Sequence, residues 1–122
     1  MGVINPNVTQ YNLSTTVCAV GWTKSIRPTI YRTNYIKAQK LKEAGISKTE
    51  IKQYELDHII PLSSGGHPSD NSNLALQLWN SPLGAKAKDK LELQVNHKLC
   101  SNKITLKEAQ LCFFNDWTTC KL

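Results

Sequence analysis

The stretch Tyr54-Glu55-Leu56-Asp57-His58-Ile59-Ile60-Pro61-Leu62 constrains the fold of this chain more than any other. Leu56 to Leu62 reads as an apolar strand that ends at Pro61, because proline has no N–H for a strand ladder. Ser63 to Ser72 contains Gly65, Gly66 and Pro68 and reads as a turn-rich loop. Asn73 then opens a second strand, Leu74 to Trp79. The hairpin so formed carries an Asp-His pair on its first strand and an asparagine at the start of its second. Glu55 alternates with Asp57 and shares its face.

Helical patterns surround the hairpin. From about Asn34, the residues Tyr35, Ile36, Ala38 and Leu41 fall on one side, and Gly45 suits the left-handed residue that ends a helix. Ser47-Lys48-Thr49-Glu50 is a capping box that predicts a short second helix. Ser81-Pro82 opens a helix expected from about Leu83 to Leu99, with Leu91, Val95 and Leu99 on one face. Thr105-Leu106-Lys107-Glu108 is another capping box, for a last helix through about Trp117. Residues 1–16 are polar and read as an extended, loosely packed segment, and Thr23 to Thr33 as irregular basic chain. The 122 residues suit one domain, expected over 17–122, of class α+β with helices around one hairpin.

Lys plus Arg number 15 against 9 Asp plus Glu, which gives a net charge of +6. Such a surface attracts phosphate polyanions or acidic membranes. No apolar run is long enough to span a bilayer, so no membrane partner is expected. Cys18, Cys100, Cys112 and Cys120 show no C-x-x-C spacing, so disulfides are preferred to a zinc cluster. Four cysteines allow about three pairings, and the sequence does not choose between them. The expected pairing is Cys18–Cys100 with Cys112–Cys120. The second bridge requires the last helix to stop between its cysteines, since eight helical residues span about 12 Å. Thr118-Thr119 is the expected break. Disulfides imply an extracytoplasmic protein, periplasmic or secreted. Met1-Gly2 then reads as a start placed before a mature sequence whose secretion signal has been removed.

The central segment resembles the HNH, or His-Me finger, nucleases with their ββα-metal core, here expected over about 54–99. It is more similar still to small bacterial proteins with an HNH-like domain. The matching residues are Cys18, Gly21, Trp22, Thr23, Lys24, Ser25 and Arg27, then Tyr54, Glu55, Asp57, His58, Ile60, Pro61 and Leu62. Gly65, Gly66, Asn73, Leu74, Lys88, Asp89, Leu91, Glu92 and Cys100 continue the pattern.

The resemblance implies a metal-dependent endonuclease that hydrolyses phosphodiester bonds in DNA, with RNA as the second candidate and little sequence preference. His58 would be the general base, since imidazole titrates near neutrality. Asn73 would offer its carboxamide oxygen to the other ring nitrogen. Asp57 would hold a divalent ion, Mg²⁺ before Mn²⁺. Zn²⁺ ranks below both, because the following helix has no histidine in the expected ligand position. The second ligand would be Asp89, with Asn80 next. Glu55 and Glu92 would support the site, while Lys24, Arg27, Arg32 and Lys88 would contact phosphate. Relatives often carry an asparagine where this chain has Gly84. That departure gives a rival reading, a degenerate nucleic-acid-binding module without catalysis. A secreted interaction protein or toxin is the other. His67 and His97 are expected at the surface, Trp22, Trp79 and Trp117 in the core, and the protein as a monomer.

Overall fold

The computed structural model describes residues 2–81 and 83–122. Helix α1 covers Trp22–Ile26 and α2 covers Ile30–Glu43. Strands β1, Tyr54–His58, and β2, Leu74–Leu78, follow, then α3, Ala85–Cys100, and α4, Leu106–Phe114. The strands pair antiparallel, with Asp57 opposite Ala75 and His58 opposite Leu74. This is the expected α+β class: one hairpin, a helix after it, and further helices around it. Helix α2 packs on both strands, while α3 packs on α4 and on the turn Leu62–Ser64.

Several boundaries differ from the sequence expectation, each for a local reason. Helix α2 begins before Asn34 because Thr29 caps it, its Oγ1 accepting from Arg32 N at 3.2 Å. Part of the basic stretch before it is also helical, as α1. The capping box at Ser47 yields a 3₁₀ turn, Lys48–Gln53, with Ser47 Oγ accepting from Thr49 N. Strand β1 stops at His58, short of Pro61. The expected helix start at Ser81-Pro82 includes Pro82, outside the described residues, as is Met1; α3 itself starts at Ala85. Thr105 forms its capping box with Glu108 in full. Helix α4 ends at Phe114 rather than near Trp117, because Asp116 caps a new 3₁₀ turn by accepting from Thr118 N at 3.0 Å.

That early stop lets the chain return on itself. Cys112 and Cys120 are bridged with their Cα atoms 5.0 Å apart. Cys18 and Cys100 form the other bridge, which ties the chain ahead of α1 to the last residue of α3. Both pairings match the expectation. The core lies between α3, α4 and the first segment of the chain, around Phe113, Leu99, Val95 and Ile60. No helix among the described residues is long and apolar enough to cross a membrane.

The first residues depart most from expectation. Val8 and Leu13 are buried in the core, so the segment is not loosely packed. Ile4 bridges to Gly66, Val3 O accepts from His67 N, and Asn5 N donates to Gly65 O. The approach at Gly66 is so close that a Cβ would lie 1.8 Å from Ile60 O. Asn73 is the clip beneath this contact. It has no exposure, and its Oδ1 accepts from Val3 N and Ile60 N at 3.0 Å each. Its Nδ2 donates to Ile60 O at 3.1 Å and His67 O at 2.9 Å. Removing the carboxamide strands buried backbone groups, each costly to leave unpaired. Asn73→Ala is therefore expected to lose on the order of 3 kcal/mol of folding stability, read from the urea midpoint. An unchanged midpoint would refute this clip.

Candidate active site

His58 stands at the end of β1 and is 9% exposed. Its Nε2 lies 2.8 Å from Pro68 O, in the loop between the strands. A carbonyl only accepts, so Nε2 carries the proton and Nδ1 the lone pair. Burial holds the ring's pKa below its ordinary value, although Pro68 O and Asp57 pull it up. At neutral pH the imidazole is thus neutral, with a fixed tautomer. The expected partner, Asn73, does not hold this ring: both ends of its carboxamide are committed to backbone groups. The true orienter is a main-chain carbonyl, which no side-chain motif could reveal.

Lys88 also differs from expectation. It is 1% exposed and so is not a surface contact for phosphate. Its ammonium donates to Asp57 Oδ2 and to His58 O. Glu92 Oε2 lies 3.3 Å away, one helical turn further along α3, in ion-pair range but without hydrogen-bond geometry. The Phe113 ring adds a cation–π contact, its centroid 5.6 Å from the nitrogen. One signal in the sequence marks this lysine. It lies in the stripe Ala85, Lys88, Glu92, Val95, Leu99, three or four residues apart, and Ala85, Val95 and Leu99 are buried.

Beside this pair lies a pocket of about 80 Å³ whose walls include Glu55, Asp57, His58, Asp89 and Glu92. Arg27 and Thr23 close it from the segment around α1. Burial first, then the charges of Asp57 and Asp89, push the Glu55 carboxyl up to about 7. Glu92 also reaches about 7, mainly through burial, with Lys88 opposing and Asp57 and Asp89 adding to the rise. Asp57 is raised by burial against the pull of Lys88. With all four carboxyls ionised, they would outnumber the two cations, Lys88 and Arg27, by two; near pH 7 the raised Glu55 and Glu92 are only partly ionised, so the surplus is smaller.

These residues fit a divalent cation in several respects. The donors are hard oxygens, the surplus charge is negative, and Glu55 Oε2 is buried with no hydrogen-bond partner. The carboxylates surround the pocket rather than meet at one point. Among the described residues, no group of three or more His, Cys, Asp or Glu side chains is placed to hold an ion.

The remaining expected residues fall into two sets. Arg27, Glu55, Asp89 and Glu92 are brought together with Asp57 and His58. Asn80 is not: it is exposed and lines a separate recess with Lys52, Gln53 and Leu78, beyond the far end of the hairpin. Lys24 and Arg32 are exposed and line none of the recesses around the site. Gly84 has a packing explanation, since a Cβ there would sit 2.3 Å from Leu78 O. The turn from β2 into α3 excludes an asparagine at that position. Thr23, part of the matching pattern but expected in no site role, lines the pocket, and the Pro68 carbonyl was not foreseen at all.

With this geometry established, no protein-family model matches the chain, and neither a curated protein nor a solved structure matches it.

Two measurements probe the charge arrangement. Breaking a buried ion pair by removing one partner costs about 3–5 kcal/mol, because the other charge is left alone. Lys88→Met is expected to lose that much, and Lys88→Met with Asp57→Asn to recover most of it in a double-mutant cycle. Additive losses would remove Lys88 from its place as Asp57's counter-ion.

The second measurement is pH dependence in metal-free protein. Glu92 has a folded pKa of about 7 against an ordinary value of 4.5, so between these values the folded state binds more protons. Its contribution to stability therefore falls as pH rises through that window and stays low above it. His58, depressed by burial, acts oppositely and loses stability as pH falls below its ordinary range. The Glu92→Gln comparison isolates the carboxyl. The variant's melting temperature relative to wild type should rise between pH 4.5 and 7, and a flat difference would contradict the raised pKa.

Proposed function

We propose that this protein is a metal-dependent endonuclease of the HNH kind, hydrolysing phosphodiester bonds in DNA, and in RNA as a second substrate, with low sequence preference. One observation carries the reading: a neutral His58, its Nε2 proton committed to a backbone carbonyl, at the wall of an acidic pocket. The strand–loop–strand–helix order of β1, β2 and α3 agrees with the ββα-metal core that the sequence resembles.

The chain's own residues divide the work as follows. His58 Nδ1 accepts a proton from the attacking water, and its Nε2–H stays on Pro68 O throughout, so the ring does not rotate as it charges. Asp57 and Asp89 would hold the divalent ion, Mg²⁺ or Mn²⁺, through carboxylate oxygens, with Glu55 and Glu92 supporting them from the pocket wall. When bound, that ion would offset charge on the scissile phosphate and on the leaving oxygen. Lys88 keeps Asp57 in place, and Arg27 would contact a phosphate oxygen from the opposite wall. The positive surface supplies non-specific attraction to the polyanion. Two disulfides point to an oxidising compartment, and a periplasmic or secreted protein acting as a monomer is the matching proposal.

A second reading, a nucleic-acid binder without catalysis, has one observation in its favour. Lys88 already neutralises Asp57, the carboxylate assigned above to the metal. The two readings separate in a plasmid-nicking assay with Mg²⁺, Mn²⁺, Zn²⁺ or EDTA. Metal-dependent nicking is expected, and His58→Ala should lower it by about 10²- to 10⁴-fold while a gel shift persists. Nicking unchanged in His58→Ala would sink the assignment. A gel shift without nicking in any metal would favour the binder.

A further inference from the structure

His58 borders a second recess besides the acidic pocket. It is a groove of about 260 Å³ between α2 and β1. One wall is a stripe of α2 at helical spacing, Ile30, Thr33, Asn34 and Lys37. The other is the face of β1 that carries Tyr54, Leu56 and His58, with Trp79 just past the end of β2. Alternation along β1 explains why this wall differs from the acidic one. Asp57 turns to Lys88 on α3 and lines the acidic pocket but not the groove, Tyr54 lines the groove but not the acidic pocket, and Glu55, Leu56 and His58 border both. Arg27 stands at the junction and lines both recesses.

The chemistry of the groove is basic and aromatic. Arg27 and Lys37 supply two cations against one carboxylate, Glu55. Tyr54 and Trp79, both half-buried, supply aromatic rings, Trp79 lining this groove rather than the core expected of it, while Thr33 and Asn34 add hydrogen-bonding groups. Exposed apolar surface continues outward on the same helix: Ile30 is 77% exposed, Tyr31 88% and Tyr35 58%. Large exposed side chains grouped on one helix mark an interaction surface. Cations tracking a backbone, with aromatic faces for bases, are the pattern of sequence-tolerant single-strand binding.

We propose that this groove is the path of an unpaired polynucleotide strand, which delivers a phosphodiester to His58 at its inner end. The inference rests on the reading of His58 as the base of a nuclease and adds the substrate class, single-stranded or locally opened nucleic acid. Accessibility favours a single strand over an intact duplex. His58 is 9% exposed, so the reacting phosphate must enter a recess. A flexible strand can fold into it, whereas a duplex would have to bend or open at a cost. Charge complementarity selects a polyanion, and the rings distinguish a nucleic acid from an acidic polypeptide.

The test is fluorescence anisotropy of a labelled twelve-residue oligothymidylate and of a twelve-base-pair duplex, with oxidised protein in EDTA, where no cleavage occurs. The single strand is expected to bind at least tenfold more tightly than the duplex. Lys37→Glu should weaken single-strand binding at least tenfold. Trp79→Leu should weaken it where Trp79→Phe does not, with folding of each variant checked by circular dichroism. Equal or tighter duplex binding, or no effect of Lys37→Glu, would overturn the groove even if plasmid nicking stands. So would competition by polyglutamate as effective as that by unlabelled oligothymidylate, since that polymer has charge without bases. The expected binding pattern in a protein that never nicks would uphold the groove and remove the nuclease reading.

Discussion

The ammonium of Lys88 organises the site. A buried lysine is unfavourable unless its charge is matched and its donors are used. Here the matching groups come from three elements. Asp57 and the His58 carbonyl belong to β1, Glu92 to the same helix as the lysine, and the Phe113 ring to α4. Apolar packing is largely indifferent to small slips of one element along another. A charge needing several oxygens at once is not. Lys88 therefore fixes how far α3 sits along the hairpin, and with it the positions of Asp89 and Glu92 relative to His58. Its role is better described as geometric than as a net source of stability, because the desolvation of both charges offsets much of their attraction.

A neutral clip does the equivalent work on the opposite side of the strand end. Asn73 joins the start of β2 to Ile60, to His67 and to Val3. It shapes the loop from which Pro68 O reaches the imidazole. His67 tightens the same loop, its Nδ1 accepting from Asp70 N at 2.9 Å. The histidine ring is thus held through backbone whose own position is over-determined. That is a firmer support than a lone side-chain partner, which can change rotamer.

How much of this was legible in the sequence depends on the kind of interaction. The hairpin, the helix after it and the Thr105 cap were readable, because alternation, turn residues and capping boxes are local signals. The gathering of Glu55, Asp57, His58, Asp89 and Glu92 was also readable, through strand alternation and helical spacing joined to a family likeness. What was not readable is long-range. The packing of the first residues depends on Gly66 lying against Ile60 O, and nothing in residues 1–16 announces it. The orienting carbonyl of Pro68 has no side-chain signature at all. Lys88 was readable as a conflict, a charge on an apolar stripe, but its resolution needed Asp57 from thirty-one positions away. Asn80 was placed in the site by nearness in sequence, and the turn from β2 into α3 carries it elsewhere.

The two faces of β1 give the site a logic beyond any single residue. One face collects carboxylates around Lys88, and the other collects rings and cations along α2. A polyanion would be repelled by the first and drawn to the second. A divalent cation would behave in the opposite way. His58, last on the strand and lining both recesses, would on the proposed reading be reached by each ligand from its own side. The raised carboxyls near 7 follow first from burial, and then from their crowding with Asp57 and Asp89. That crowding destabilises the metal-free fold at neutral pH, and a bound cation would relieve it. The strain is thus located where a cation would act, so any affinity for the ion would draw on the same electrostatic cost.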